Sequence, residues 1–343
     1  MAADPDSRPL RVLVVTNMYP TADMPRLGIF IQRQVEGLRA LGVHVDLLIE
    51  DRAHRGMGIY LGTRRRIRDA LASDTVDLVH CRYGGFLALA TWFGRRNVPM
   101  VLSLCGSDLL GEPQLGGFRA FAASLGARVS RWLAPRVDHV IVMSPAMASA
   151  LGDAAPPERV TVVPDGTDME LFRPMDQDEC RSRLGWARND DGHDVLFGGY
   201  RGAPRKRLDL AEQSVDEVRR LGLKVELHVP DGVPAEMMPV WINASDAMLL
   251  TSAHEGSPNI VRESLACDVP VVSVDVGDVR QRLEAVEGCQ VTTDDPRQLG
   301  AALFETLTAA KNRIDGRASV ESASLPATAE QVLGVYHDVL ARS

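Results

Sequence analysis

The sequence predicts an α/β protein made of two doubly wound, Rossmann-like domains. Short apolar runs alternate with helical stretches along the chain, a pattern typical of parallel sheets covered by helices. Roughly ten apolar runs are recognisable, which is more than one twisted sheet of this kind usually carries. We therefore expect two sheets, each with its own core.

The predicted strands are short, apolar and rich in valine, isoleucine and leucine, as expected for strands buried on both faces. In the first half of the chain they lie at residues 12–15, 45–49, 76–80, 100–104 and 140–143. In the second half they include residues 195–197, 225–229, 248–250 and 271–274. Helices are predicted between them, for example at residues 34–41 and 208–221.

The boundary between the domains is predicted where turn-forming residues cluster. Pro164, Asp165 and Gly166 follow one another, and a polar stretch comes after them. We assign residues 1–170 to the N-terminal domain and 171–325 to the C-terminal domain. Residues 326–343 are predicted to form a final helix.

Composition narrows the class of protein. The 343 residues carry a net charge of −8, which argues against a general nucleic-acid binder. Five scattered cysteines without a CxxC pair fit a reducing compartment. Residues 1–6 lack the apolar core of a signal peptide, and no apolar run approaches the length of a membrane span. A cytoplasmic location is therefore expected.

Two glutamates, Glu255 and Glu263, are separated by seven residues directly after a predicted strand. Ser257 suits the N-cap of the following helix, and Pro258 suits its first helical position. A helix start attracts phosphate groups, so two carboxylates would flank an anion site. A nucleoside diphosphate sugar has this layout of hydroxyls around a diphosphate. The alternative is that both glutamates are solvated surface charges.

A basic run follows the first strand of the second domain. It contains Arg201, Arg205, Lys206 and Arg207 within seven residues. Cations in this place could hold a departing diphosphate and stabilise the charge that develops on it. A solvated charge run is the other reading.

The stretch from Thr251 to Asn259, followed by Pro270-Val271-Val272, resembles the donor site of retaining glycosyltransferases of the GT-B architecture, family four. The resemblance implies that Glu255 contacts the donor sugar and Glu263 the ribose. It implies that Gly256, Ser257, Pro258 and Asn259 face the diphosphate and the sugar.

The same resemblance carries expectations for the architecture and for the basic run. The two domains would face each other across a cleft, with the acceptor on the N-terminal side and the nucleotide sugar on the C-terminal side. The final helix would cross back to the first domain. The family has an arginine and a lysine separated by about four residues, which Arg201 and Lys206 fit and Arg205 fits less well. Lys206, Arg201 and Glu255 are thus the expected catalytic residues.

In the first domain, the resemblance rests on weaker motifs. Gly28 matches a glycine in the loop that closes over the substrates. Cys105, Gly106 and Asp108 follow a strand as in the family's H-G-S-D element, with cysteine where histidine is common. They are candidate acceptor or sugar contacts. Cys105 could instead be a buried apolar residue, and Asp108 a helix cap or a base. Asp165 stands where the family usually has asparagine.

The predicted function is transfer of a sugar from a nucleotide diphosphate sugar to a hydroxyl acceptor (glycan, lipid-linked or small natural product) with retention of configuration. No cofactor and no metal are expected, because protein cations would neutralise the diphosphate. Asp275 and Asp278 do not have the spacing of a metal-binding D-x-D motif. Three alternatives stay open: a nucleotide-sugar epimerase, a non-catalytic partner subunit, and an inverting transferase with Asp108 as base.

A second basic cluster lies in the first domain, at Arg64, Arg65, Arg66 and Arg68. Such a cluster commonly forms a solvated helix face. It could also bring the protein to anionic lipid as a peripheral membrane contact, because each cation near such a surface contributes about 1 kcal/mol.

Overall fold

The computed structural model describes residues 8–21, 24, 27–50, 58–72, 75–112, 116–186, 192–311 and 313–343, without the side chains of residues 58–61. The amino-terminal segment used above to argue against a signal peptide, residues 1–6, lies outside this described part. The chain divides into two compact units. The first comprises Met1–Gly166 and Leu325–Ser343, and the second comprises Thr167–Ser324.

The first unit is built on a six-stranded, all-parallel sheet in the order β2-β1-β3-β4-β5-β6. Its strands are β1 (Arg11–Thr16), β2 (His44–Ile49), β3 (Leu78–Arg82), β4 (Met100–Leu104), β5 (His139–Val142) and β6 (Val160–Val162). The central strands β3, β4 and β5 are buried at every position. Burial on both faces explains why these strands read as continuous apolar runs.

Helices cover the first sheet: α1 (Ile29–Ala40), α2 (Gly58–Ala70), α3 (Gly85–Gly94), α4 (Ser107–Leu110), α5 (Gly117–Leu133), α6 (Pro145–Leu151) and α13 (Leu325–Arg342). The last of these comes from the end of the chain. Its residues Val332, Val335, Tyr336 and Val339 belong to the same apolar core as the sheet. The final helix is therefore part of the first unit's core.

The second unit contains a five-stranded parallel sheet in the order β11-β10-β9-β7-β8. Its strands are β7 (His193–Phe197), β8 (Val225–His228), β9 (Ala247–Leu250), β10 (Val271–Val274) and β11 (Gln290–Thr292). The helices are α7 (Gln177–Leu184), α8 (Leu208–Arg220), α9 (Met238–Ala244), α10 (Asn259–Ala266), α11 (Val279–Leu283) and α12 (Pro296–Thr308).

Two parallel sheets with covering helices confirm the predicted fold class. Sequence reasoning did not identify β6 and β11, which are three residues long, occupy sheet edges and are only partly buried. Short edge strands lack the apolar run that marks a buried strand. Within the described residues, no helix is both long and apolar enough to cross a bilayer.

Candidate active site

The candidate site lies where the second sheet changes its winding direction. From β7 the chain runs outward to β8 on one side and returns to place β9 on the other. In doubly wound sheets, ligands bind at this point, outside the carboxyl ends of the strands. The loop after β7 carries Lys206, and the loop after β9 carries Glu255. The topology thus brings together two residues that are 49 positions apart.

Glu255 is the centre of a compact charged cluster. Its Oε1 atom lies 2.7 Å from Lys206 Nζ and 2.7 Å from Arg205 Nη1. Lys206 Nζ also donates to the Gly198 carbonyl oxygen at 3.2 Å. The Glu255 and Lys206 side chains are only 10% and 12% exposed, whereas Arg205 is 33% exposed. The cluster therefore places one carboxylate and two cations at the carboxyl edge of the sheet.

The cluster changes the pKa values of its members. Burial would raise the pKa of Glu255, but Lys206 and Arg205 outweigh it and lower that pKa to about 2. Burial lowers the pKa of Lys206, Glu255 raises it, and Arg205 lowers it further, with a lowered value as the result. Because the folded pKa of Glu255 is depressed, its ion pairs stabilise the fold fully above its usual value of 4.5. This stabilisation is lost as the pH falls towards about 2.

Two glycines allow the backbone to close around this cluster. A Cβ atom on Gly199 would lie 2.9 Å from both Cβ and Cγ of Lys206, so the absence of a side chain lets the lysine stem pack there. Gly277, after β10, has φ +59°, and a Cβ atom on it would lie 2.7 Å from the Gly256 carbonyl oxygen. Both close approaches depend on glycine.

The helix after Glu255 begins differently from the prediction. Helix α10 starts at Asn259, with Pro258 as a cap residue that makes no side-chain cap bond. The Ser257 hydroxyl does not cap the helix: it donates to Asp278 at 2.8 Å and accepts a bond from Arg262. The assignments of Ser257 to the N-cap and Pro258 to the first helical position were wrong, because a tertiary contact uses the hydroxyl.

Arg262 is a buried cation that sequence reasoning did not single out. It is 0% exposed and donates to the Ser257 hydroxyl and to the Asn259 side-chain oxygen. Its guanidinium therefore lies next to the first turn of α10. No apolar or charge pattern marks it, because an arginine beside Glu263 on a short helix would be expected to face solvent.

Arg201 does not join the cluster. Its guanidinium is 64% exposed and pairs with Asp231 at 3.1 Å, while its backbone N–H donates to the same carboxylate at 2.7 Å. Arg205, which fits the family spacing less well, is the arginine that contacts Glu255. A 3₁₀ turn over Pro204–Lys206 directs Arg205 and Lys206 to the same carboxylate.

In the first unit, Gly28 lies at the corresponding change of winding, between β1 and β3. It has φ +68° and is the N-cap of α1. A Cβ atom on Gly28 would lie 2.3 Å from the Met18 carbonyl oxygen. The loop after β1 therefore packs directly onto the Gly28 backbone, which no larger residue would permit without a shift of the loop.

Asp108 is buried, and its carboxylate is occupied by backbone groups. It accepts from the N–H groups of Gly84 at 2.7 Å, Gly106 at 2.8 Å and Cys105 at 2.9 Å. Burial raises the pKa of Asp108, and these three bonds oppose the rise. Asp108 thus ties together the loops after β3 and β4, and its oxygens already have donors.

Cys105 and Asp165 both lie near one buried arginine, Arg82. Arg82 is 1% exposed and donates to Asp165 at 3.0 Å. Burial works against its charge, but Cys105 and Asp165 outweigh burial and raise the pKa of Arg82. The two positions where this chain departs from the family pattern are therefore neighbours of the same guanidinium.

A cavity of about 150 Å³ adjoins the loops tied by Asp108. Its lining includes Asn17, Tyr83, Ser107 and Glu112. Tyr83 has φ +139°, a strained value for a residue with a side chain, and its hydroxyl lies 2.8 Å from the Ser107 hydroxyl. No sequence pattern indicated Tyr83, because its strain arises from the fold.

Two family descriptions match the two halves of the chain. "Glycosyltransferase Family 4" matches residues 11–171, and "Glycosyl transferases group 1" matches residues 187–309. The chain belongs to the family-four, group-1 glycosyltransferases. This agrees with the resemblance seen in the sequence.

The individual relatives are distant from this chain in sequence. A putative teichuronic acid biosynthesis glycosyltransferase, TuaC of Bacillus subtilis, is 24% identical over 79% of this chain and 82% of its own length. A D-inositol 3-phosphate glycosyltransferase of Thermobispora bispora is 30% identical over 45% of this chain, and the match spans only 43% of that relative.

A solved structure shows the same fold. The Anabaena protein Alr3699/HepE, in complex with UDP and glucose, superimposes with a TM-score of 0.70 at 16% identity, covering 96% of this chain and 100% of that one.

Glu263 lies on α10, one turn after Asn259, and is half-buried. Both residues therefore share one helix face, as the four-residue spacing predicts. Gly256 and Pro258 are buried within the preceding loop.

Among the described residues of the chain, one group of side chains has the spacing of metal ligands: Asp194, Glu226 and His228. Asp194 is already paired with Arg181 at 3.2 Å and with His228 at 2.7 Å. Asp194 lies at the start of β7, and Glu226 and His228 lie on the neighbouring strand β8, whereas Lys206 follows the end of β7. The ion pairs of Asp194 given for the described residues connect it to Arg181 and His228, not to Lys206 or Arg205. The two aspartates that lack the D-x-D spacing also have protein partners. Asp278 accepts a hydrogen bond from the Ser257 hydroxyl, and Asp275 pairs with Arg280 at 2.7 Å.

Proposed function

We propose that this chain transfers a sugar from a nucleoside diphosphate sugar to a hydroxyl acceptor, with retention of configuration. The observation that carries the proposal is the Arg205–Glu255–Lys206 cluster at the winding change of the second sheet, beside the start of α10. Family membership supports sugar transfer, and the likeness to a protein solved with UDP and glucose supports a nucleoside diphosphate donor.

The proposed chemistry is displacement on one face of the sugar. The bond between the anomeric carbon and the diphosphate oxygen breaks, and a bond to the acceptor oxygen forms on the same face. The acceptor proton passes to an oxygen of the departing diphosphate, so no side-chain base is required. This agrees with Asp108, whose carboxylate is occupied by three backbone N–H groups.

Each charged residue of the cluster has a proposed role. Lys206 and Arg205 hold the departing diphosphate, together with the first-turn N–H groups of α10. Arg205 takes the role that spacing assigned to Arg201, because Arg201 pairs with Asp231 instead. Glu255 holds both cations in place and contacts the sugar hydroxyls, while Glu263 contacts the ribose.

Product analysis tests this function. Purified protein is incubated with individual nucleotide sugars, first selected by their protection against thermal unfolding. Release of nucleoside diphosphate that depends on a hydroxyl acceptor, with the donor's anomeric configuration kept in the product by NMR, is the expected result. Conversion of the donor without acceptor would identify an epimerase, and an inverted product would rule out the proposed mechanism.

Glu255→Gln is expected to lower the turnover of sugar transfer without weakening nucleoside diphosphate binding. The amide keeps the shape of the side chain but removes the charge that lies 2.7 Å from Lys206 and Arg205. Lys206 and Arg205 then no longer share the Glu255 carboxylate, so their attraction for a diphosphate is not reduced. Calorimetry and initial rates measure the two quantities.

Asp231→Asn is the matched control for Glu255→Gln, because it removes a carboxylate from the exposed pair with Arg201. It should leave both quantities unchanged. A Glu255→Gln enzyme with normal turnover would refute the role given to Glu255.

Glu263→Ala should weaken binding of every nucleoside diphosphate, including those without a sugar. Loss of hydrogen bonds to a charged group predicts a decrease of about 1.5–3 kcal/mol in binding free energy. Calorimetric titration of the wild type and the variant measures it, with the exposed Glu212→Ala on α8 as control. Equal affinities in all three proteins would exclude the ribose role.

Sugar transfer is expected to proceed without a divalent metal. The proposal gives the neutralisation of the diphosphate to Lys206, Arg205 and the start of α10. Initial rates after treatment with a chelator should therefore match the untreated rates. A strict requirement for added magnesium or manganese would contradict this assignment.

We further propose that the acceptor side works at an anionic membrane surface through Arg64, Arg65, Arg66 and Arg68. Arg65, Arg66 and Arg68 of α2 are exposed, and Arg65 lies 3.9 Å from Asp69. Arg66 pairs with Glu50 at 2.8 Å, and Arg64 lies over the Phe93 ring. Three of the four arginines are thus exposed to solvent, and Arg64, Arg65 and Arg66 also contact neighbouring side chains.

A further inference from the structure

Helix α5 presents an apolar stripe to solvent. Four of its large apolar residues are exposed: Phe118 at 82%, Phe121 at 60%, Leu125 at 36% and Trp132 at 44%. Their spacing of three, four and seven residues places them on one face of the helix. Soluble proteins seldom expose a contiguous apolar patch of this kind unless it binds something.

The stripe is not needed for packing within the first unit. Ala127, Ser130 and Leu133 of the same helix are buried and face the core. The Ser130 hydroxyl also donates to the Asp108 carbonyl oxygen at 2.6 Å. Helix α5 is therefore already anchored by its other face.

The exposed apolar surface continues onto the neighbouring helices. The rings of Trp132 and Trp92 of α3 meet edge to face with centroids 5.8 Å apart. Phe93, also on α3, is 49% exposed, and the Arg64 guanidinium of α2 lies 5.8 Å from its ring centroid. Helices α2, α3 and α5 thus form one continuous face.

The charge on this face differs in sign from that of the whole chain. The helices α2, α3 and α5 carry seven arginines and a single acidic residue, Asp69, whereas the full chain has a net charge of −8. Arg119 and Arg128 flank the apolar stripe and are exposed. Arg136, just beyond α5, lies 4.0 Å from the Trp132 ring centroid.

We infer that this aromatic–arginine face, defined by Arg65, Arg68, Phe93, Phe118, Phe121 and Trp132, docks onto an anionic lipid bilayer. Helix α5 lies in the plane of the interface, with its phenylalanine side chains among the acyl chains and the arginines at the phosphates. Aromatic and basic residues on one helix face are the composition of interfacial helices. The inference rests on the membrane contact proposed for the arginines of α2, and adds the element that enters the bilayer.

Charge complementarity favours a bilayer as the occupant. An overall negative protein is repelled by an anionic membrane, so attraction requires a local excess of positive charge on the docking face. The excess here surrounds exposed rings, which provide a contribution to binding that salt does not screen. The combination predicts binding that weakens with salt but is not abolished by it.

Vesicle flotation tests the inference with the purified full chain. Wild type should float far more with phosphatidylcholine–phosphatidylglycerol vesicles than with phosphatidylcholine alone, where only the apolar contribution is left. Phe118→Ser combined with Phe121→Ser should reduce the partition coefficient about tenfold or more, since two aromatic side chains no longer enter the bilayer. Leu221→Ser, which alters a residue of the second unit that is 54% exposed, should have no effect.

The arginines are tested separately. Arg65→Gln combined with Arg68→Gln should also reduce binding about tenfold or more, while the exposed pair Arg183→Gln and Arg297→Gln in the second unit should not.

If the arginine variant loses binding but the phenylalanine variant keeps it, contact through α2 stands and insertion of α5 is refuted. If wild type ignores anionic vesicles, or if the phenylalanine variant instead loses self-association or a protein partner, the bilayer is the wrong occupant. Sugar transfer to a water-soluble acceptor reports on the catalytic proposal independently.

Discussion

Replacing Lys206 with alanine is expected to lower the turnover of sugar transfer by about 10²-fold or more, with a much smaller change in donor affinity. The ammonium group lies 2.7 Å from Glu255 in a site where its side chain is only 12% exposed. Its attraction for the diphosphate is greatest when negative charge develops on the departing oxygen. Initial rates and donor titrations separate the two effects.

Two further variants separate the effect of the Lys206 charge from the effects of side-chain packing and of general electrostatics. Lys206→Met keeps the stem that packs against Gly199 and removes only the charge, so it should be nearly as slow as the alanine variant. Arg201→Ala removes a cation from the same loop, but from an exposed pair with Asp231. It should retain normal turnover. Equal losses in Lys206→Ala and Arg201→Ala would point to general electrostatics and would contradict a positioned clamp.

Asp165→Asn should destabilise the first unit by about 3–5 kcal/mol, because it leaves a buried guanidinium without its counter-charge. Arg82 is 1% exposed, and among the described residues its Nε and Nη1 atoms have no hydrogen-bond partner. Among the described residues, the carboxylate of Asp165 is the group that pairs directly with this guanidinium. Urea unfolding of the wild type and the variant measures the loss.

The matched control is Asp46→Asn, which weakens the partly exposed pair with Arg11 at 3.2 Å and should cost at most about 1 kcal/mol. Adding Arg82→Met to Asp165→Asn should restore much of the lost stability, because no buried charge is then left unpaired. If Asp165→Asn costs no more than Asp46→Asn, the buried ion pair does not stabilise this unit.

Arg82 also explains a limit of the sequence analysis. The two departures from the family pattern, Cys105 and Asp165, are 60 positions apart and look unrelated in the sequence. In the fold, both lie beside Arg82, which ends β3. Nothing in an apolar run predicts that one of its residues will be a buried cation, so the connection is visible only in three dimensions.

The parts that could be predicted are those that depend on local pattern. The buried strand β9 is visible in the sequence because all of its residues, Ala247–Leu250, are apolar. The donor loop around Glu255 is visible because its residues follow a family motif. The roles of Arg201 and Arg205 could not be separated, because the 3₁₀ turn over Pro204–Lys206 decides which side chain reaches Glu255. The number of residues between two positions does not show in which direction each side chain points.

Helix α13 sets the order in which the protein can be assembled as it leaves the ribosome. His80 Nδ1 lies 2.6 Å from the Tyr336 hydroxyl, a contact across 256 positions, and Tyr336 is fully buried in the first unit's core. The second unit is one uninterrupted segment and can fold as soon as it has been synthesised. The first unit, although translated earlier, must wait with part of its core open until α13 has been synthesised, so a nascent chain stopped at residue 324 is expected to bind chaperones.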